Sequence, residues 1–192
     1  MGIYNIFLFF HVSGAIGYFI SSGVWLLGLS ILWRAQRVEQ VRTIASLIAQ
    51  SGPVSGISLL LLLVTGLYMM ANAWNFTAGW IDVALISLVL IALCGAALIE
   101  PRRRAFNRLA QETPDGPIPE TLERLIHDPV LRTAVQTLAI LLLGIVFLMT
   151  TKPSLIGSLV VMAVTLALGL VSSLLLVVLS RQQSVAKIAN RV

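Results

Sequence analysis

The chain predicts an all-α integral membrane bundle of five transmembrane helices, with the N-terminus outside and the C-terminus cytoplasmic. Three observations carry this. Hydrophobic residues make up 58% of the 192 residues and charged residues only 11%, where an ordinary soluble domain holds about 45–50% and about 25%. Apolar runs of about 20 residues or more, the length that crosses a bilayer, recur five times. The basic residues gather on alternate connections between those runs. A globule of this size in water has no interior large enough for so much apolar surface. The mean hydropathy of +0.95 agrees. Soluble enzymes, disordered regulators, disulfide scaffolds and DNA-binding domains are therefore disfavoured.

The elements follow in order, within a single transmembrane domain over 1–192. Span one covers about 4–33 and holds no Lys, Arg, Asp or Glu. Its length of roughly 45 Å at about 1.5 Å per residue implies a tilt or a protruding end. Residues 35–50 place Val38, Val41, Ile44, Ala45 and Ile48 at helical spacing. They read as a continuation of span one or as an amphipathic helix on the membrane surface. Span two covers about 54–73, after a break at Gly52-Pro53. Span three covers about 80–99 and is stopped by Glu100-Pro101-Arg102-Arg103-Arg104.

The cytoplasmic loop runs over about 100–129. Pro114-Asp115-Gly116-Pro117 marks a turn within it, and 119–126 forms a short helix. Asp128-Pro129 reads as an N-cap followed by proline at the first helical position of span four, about 130–149. Span five covers about 154–180. The outer connections, 75–79 and 150–153, leave no room for a soluble catalytic domain. Lipid offers no partner to backbone N–H and C=O groups, so each span must satisfy its own by forming a helix. A barrel needs alternating strands, and the runs Leu59-Leu60-Leu61-Leu62-Leu63-Val64 and Leu174-Leu175-Leu176-Val177-Val178-Leu179 do not alternate.

The charge sets the orientation. The net charge is +5, and it reads as membrane topology, with no nucleic acid partner. Arg34, Arg37 and Arg42, then Arg102, Arg103, Arg104, Arg108, Arg124 and Arg132, then Arg181, Lys187 and Arg191 fall on one side. Lys152 alone, of 13 basic residues, falls on the other. The positive-inside rule places the larger group in the cytoplasm. The N-terminus lacks early basic residues and a small-residue cleavage site, so span one reads as retained. The lone Cys94 allows no intrachain disulfide.

Few residues can carry chemistry. His11 lies in the outer half of span one. It either bonds across helices or serves as a ligand or proton-handling group, and neutral imidazole suits haem iron and copper. Met69, Met70, Met149 and Met162 fall in the same outer half. Thioether sulfur suits Cu(I), and His/Met pairs ligate haem, although Met is also ordinary apolar filler. His127 lies at the cytoplasmic end, a bilayer core of about 30 Å from His11, and reads as a solvated loop residue. Asp82 and Lys152 sit near the outer boundary. Lys152 is an interfacial anchor or attracts an anionic headgroup, a quinone oxygen or a haem propionate. Trp74 and Trp80 flank the outer loop as an aromatic belt does. Arg102, Arg103 and Arg104 stop translocation and meet anionic lipid.

Ser13, Gly17 and Ser21 repeat every four places, as do Ala163 and Ala167. Such stripes predict close helix contact within the bundle or between the subunits of a homo-oligomer. Asn75-Phe76-Thr77 matches a glycosylation sequon but lies too near the membrane to serve as one. The sequence holds no Walker loop, Gly-rich dinucleotide turn, Cys pair or zinc-helix motif, which leaves open whether any reaction is catalysed.

Four segments carry a resemblance. They are FFHVSGAIGYFISSGVW around His11, GISLLLLLVTGLYMM in span two, the tryptophan opening span three, and FLMTTKPSLIGSLVVM joining spans four and five. Together they resemble an uncharacterised family of predicted bacterial integral membrane proteins. That family is similar to the copper-resistance D family and, more distantly, to b-type cytochrome membrane bundles. The resemblance implies a multi-pass protein of the bacterial inner membrane in which a span histidine, here His11, holds haem b or copper. Two-haem cytochromes carry several membrane histidines and this chain has one, so two-haem electron transfer is set aside. The expected function is a small redox or metal-handling protein holding a single haem b or copper at His11, with Met69, Met70, Met149, Met162 or Lys152 assisting. The alternative is a non-catalytic subunit, assembly factor or scaffold acting through its helix faces. A transporter for a small molecule is disfavoured by the scarcity of buried charge.

Overall fold

A computed structural model describes residues 2–74 and 78–189, with side chains to Leu176, Trp74 excepted. The sequon at 75–77, the Trp74 side chain, and Arg181, Lys187 and Arg191 lie outside those described positions. The described chain is helical throughout: α1 (Ile3–Leu32), α2 (Val38–Met69), α3 (Gly79–Cys94), α4 (Glu100–Glu112), α5 (Glu120–Ile126), α6 (Pro129–Thr151) and α7 (Leu155–Ala189). Wide five-residue turns continue α2 over Met70–Trp74 and join α3 to α4 over Gly95–Ile99. Five stretches are long and apolar enough to cross a membrane: Ile3–Leu32, Val38–Ala73, Gly79–Glu112, Glu120–Thr151 and Leu155–Leu176.

Two expected boundaries give way. The segment at 35–50 neither continues span one nor forms a separate surface helix. Its greater part is the first half of α2, which runs unbroken through Pro53. Proline removes one backbone donor, and a membrane helix tolerates that where neighbours re-satisfy the freed groups. Ser21 of α1 donates to the Ser51 carbonyl at 3.0 Å, two residues before the proline, and ties α2 to α1 there. Likewise the Glu100-Pro101-Arg102 cluster does not end the third helix. The chain widens at Gly95–Ile99 and continues as α4, with Pro101 in its first turn, where a missing N–H costs no helix bond. The expected cap of α6 is present: Asp128 accepts from the Val130 N–H at 2.8 Å, with Pro129 at the first position.

α1 lies along α2, α6 along α7, and α3 against α6 and α7. Small residues set these approaches, as expected where lipid removes any hydrophobic drive between helices. A Cβ on Gly14 would come within 3.1 Å of Leu61, and one on Gly17 would run into the Ser58 hydroxyl. A Cβ on Gly169 would meet the Thr137 backbone at 2.9 Å, between α6 and α7. The stripe at Gly17 and Ser21 therefore packs within the chain, while Ser13 is half-buried and bonds the Phe9 carbonyl of its own helix. Ala163 and Ala167 face outward from the bundle.

At the basic end the helices enclose the largest buried cluster. It draws on the end of α1 (Leu29, Leu32), the start of α2 (Val38, Val41, Ala45, Ile48), α4 (Phe106, Ala110), α5 (Leu122, Ile126) and the start of α6 (Leu131, Val135). Trp33 Nε1 donates to the Ile126 carbonyl at 3.0 Å, and Arg132 stacks on the Trp33 ring at 3.6 Å. Arg102 pairs with Asp128, and Glu100 binds both Arg103 and Arg104. His127 is exposed at this end, its ring 5.3 Å from that of Trp33. His11 lies near the start of α1, so the two histidines occupy opposite ends of the bundle.

Candidate functional site

The site is built on α1. His11 lies three turns into this helix on the side that meets α2. Across the contact stands Thr65, whose hydroxyl donates to the Leu61 carbonyl one turn back. That bond uses the only proton Thr65 has. Its oxygen can then only accept from His11 Nδ1, 3.1 Å away. With the proton on Nδ1 this contact is a hydrogen bond and Nε2 keeps its lone pair. Gly66 lets the α2 backbone come close, since a Cβ there would stand 3.2 Å from His11 Cε1. One turn towards the terminus, Phe7 stacks on Tyr68 with ring centres 3.6 Å apart, holding the same pair of helices.

His11 lines a cavity of about 250 Å³ between α1, α2, α3 and α6. Met69, Met70 and Met149 line it as well, with Trp80 and Ile81 of α3. Met70 and Trp80 are buried, and Met149 packs against them. The cavity thus joins one imidazole with three thioethers in an otherwise apolar wall. Met162 stands outside the lining. It packs with Val83, Ala84 and Leu148, its sulfur close to Gly144. Lys152 follows α6 in the left-handed conformation (φ 49°), its N–H closing the helix on the Leu148 carbonyl at 2.9 Å. Its Nζ lies 6.0 Å from the centre of the Trp80 ring, above the cavity's wall. Among the described residues no three His, Cys, Asp or Glu side chains come together as a metal centre would require. Any metal here would rely on the methionines.

Residue type and depth in the sequence pointed to His11 and the methionines. The orienting partner Thr65 and the approach at Gly66 carry no such signal, because a threonine inside a span most often bonds its own helix.

Residues 6–153 match a family described as predicted integral membrane protein (DUF2269). No curated protein and no solved structure matches the chain.

Proposed function

Because the chain belongs to DUF2269, a family of predicted integral membrane proteins, we propose a function carried out inside the bilayer: binding a single soft metal ion, copper(I), at His11. The contact between His11 Nδ1 and Thr65 carries this reading. Metal-ligating histidines donate their other N–H to an oxygen that orients the ring, and the Thr65 oxygen stands 3.1 Å from Nδ1, where it would accept that bond. Nε2 remains for the metal. Met69, Met70 and Met149 supply the thioethers that suit Cu(I). The segments around His11 and in span two, whose resemblance motivates a copper reading, supply His11, Met69 and Met70 to these walls. Haem b fits less well. The cavity of about 250 Å³ is below the roughly 300–1,000 Å³ usual for organic ligands, and a haem is larger than most of these.

Reporter fusions and metal binding test the reading together. The charge distribution supports an outer-side His11 end in a bacterial inner membrane, so a C-terminal reporter is expected to be active only in the cytoplasm. In detergent, competition with a Cu(I) chelator is expected to show one ion per chain and no Soret band. Thr65→Val is expected to weaken binding about 10–100-fold, as loss of an outer-shell partner does, and His11→Ala to abolish it. Equal copper binding by wild type and His11→Ala would overturn the proposal.

A second reading rests on Ala163 and Ala167, which face outward from α7. This small-residue stripe suits contact with another helix, which supports a subunit or scaffold role through a homo-oligomer. Ala163→Leu with Ala167→Leu is expected to disperse the oligomer in light scattering and to leave copper binding intact.

A further inference from the structure

A second cavity, of about 330 Å³, lies at the basic end between α1, α2, α6 and the wide turn after α3. Its volume falls within the roughly 300–1,000 Å³ range of ligand pockets. The two cavities meet at Tyr18 and Leu142, which line both.

Three glycines line the second cavity: Gly52, Gly56 and Gly95. A Cβ at any of them would meet nothing within 4 Å. Gly14, Gly17 and Gly169 are different, because neighbours crowd them. Helix glycine costs roughly 1 kcal/mol against alanine, and close packing does not account for it at these three positions. The wide turn at Gly95–Ile99 forms part of the same wall, and such turns recur at functional sites. So α2 carries uncrowded glycines and α3 gives way to a wide turn where the cavity is open.

The wall chemistry indicates the occupant. Ser21 and Ser22 spend their protons on the Ser51 and Tyr18 carbonyls and Tyr18 pairs with Ser55, so four of the hydroxyls in this wall are engaged within the chain, beside the apolar Ile48, Leu59, Val135 and Leu138. Glu100 and Arg103 stand at the mouth. Glu100 binds both Arg103 and Arg104, at 2.6 and 2.7 Å. The three side chains together carry a net positive charge beside the cavity, with Arg104 outside its lining.

We propose that this cavity holds one acyl chain of an anionic amphiphile, the head at Arg103 and the chain running toward Tyr18 and Leu142. Both a free fatty acid and an anionic bilayer lipid have this chemistry. The full chain in detergent would be titrated with dansylamino-undecanoic acid, followed by displacement with laurate or dodecanol. Saturable fluorescence, and displacement by laurate about tenfold tighter than by dodecanol, is expected if the head is recognised as an anion. Gly56→Leu is expected to weaken the probe by about tenfold or more, with thermal stability equal or higher and copper binding at His11 unchanged. Native mass spectrometry from nanodiscs distinguishes the sources. Retained phosphatidylglycerol over phosphatidylcholine, lost in Gly56→Leu, assigns the site to bilayer lipid. No such retention with laurate still bound assigns it to free fatty acid. Equal displacement by laurate and dodecanol, unchanged binding in Gly56→Leu, or a dimer that Gly56→Leu dissociates with no probe bound would overturn the proposal.

Discussion

The two ends of this bundle hold together by different means. At the basic end, five helices close over a continuous apolar cluster that includes Phe106, Leu122 and Ile126. Polar links fasten it. Arg42 bonds Asp115 and the Thr113 and Ala110 carbonyls, and the Val38 N–H bonds the Gly116 carbonyl at 2.9 Å. This end is built like a small soluble domain. Toward His11, the buried groups are few and separate, and large apolar residues such as Ile3 and Phe9 point outward. The difference shows which solvent each end meets. Water drives apolar groups together. Lipid does not, so there the helices rely on close backbone approach and on bonds such as His11 to Thr65.

That contrast can be broken by mutation. The largest effect is expected for Phe106→Ala, about 3–5 kcal/mol in an SDS unfolding titration, since Phe106 is 1% exposed. Phe9→Ala, at a position 66% exposed, is expected to change little by the same measurement. Equal losses would erase the distinction between the ends. Next comes Gly169→Leu, which forces α6 and α7 apart at Thr137 and is expected to cost about 1–3 kcal/mol, read by the same titration. An insensitive Gly169 would mean that close approach does not hold the membrane portion. Arg42→Ala is expected to remove about 1 kcal/mol and to speed amide exchange over 110–117, sharpening the assignment of that loop to the cap. The smallest effect is expected for Arg124→Ala, at most about 0.5 kcal/mol by chemical denaturation, because both Arg124 and Glu120 are largely exposed.

Much of the fold was legible because membrane spans are governed by local rules. Apolar length marked the crossings, and Asp128-Pro129 marked the start of α6. The reading went wrong where proline was taken as punctuation. At Pro53 α2 runs on unbroken between its packed neighbours, and at Pro101 the helix continues after a widened turn. Neither is visible in a linear pattern. In the site, His11 and three methionines were legible from residue type and depth. Met162 sits at the same depth but points into a different packing cluster. Depth is a coordinate along the helix, and lining a cavity also depends on rotation about it.

Composition and the order of apolar runs alone determined that the chain is a five-helix membrane bundle, because the need to satisfy backbone groups in lipid acts on each segment separately. The tertiary structure alone decided which residue stands against the His11 ring, which sulfurs share its cavity and which glycines bear on a neighbour. Those depend on how each helix is turned and how closely it meets the next, and side chains far apart in the chain set both.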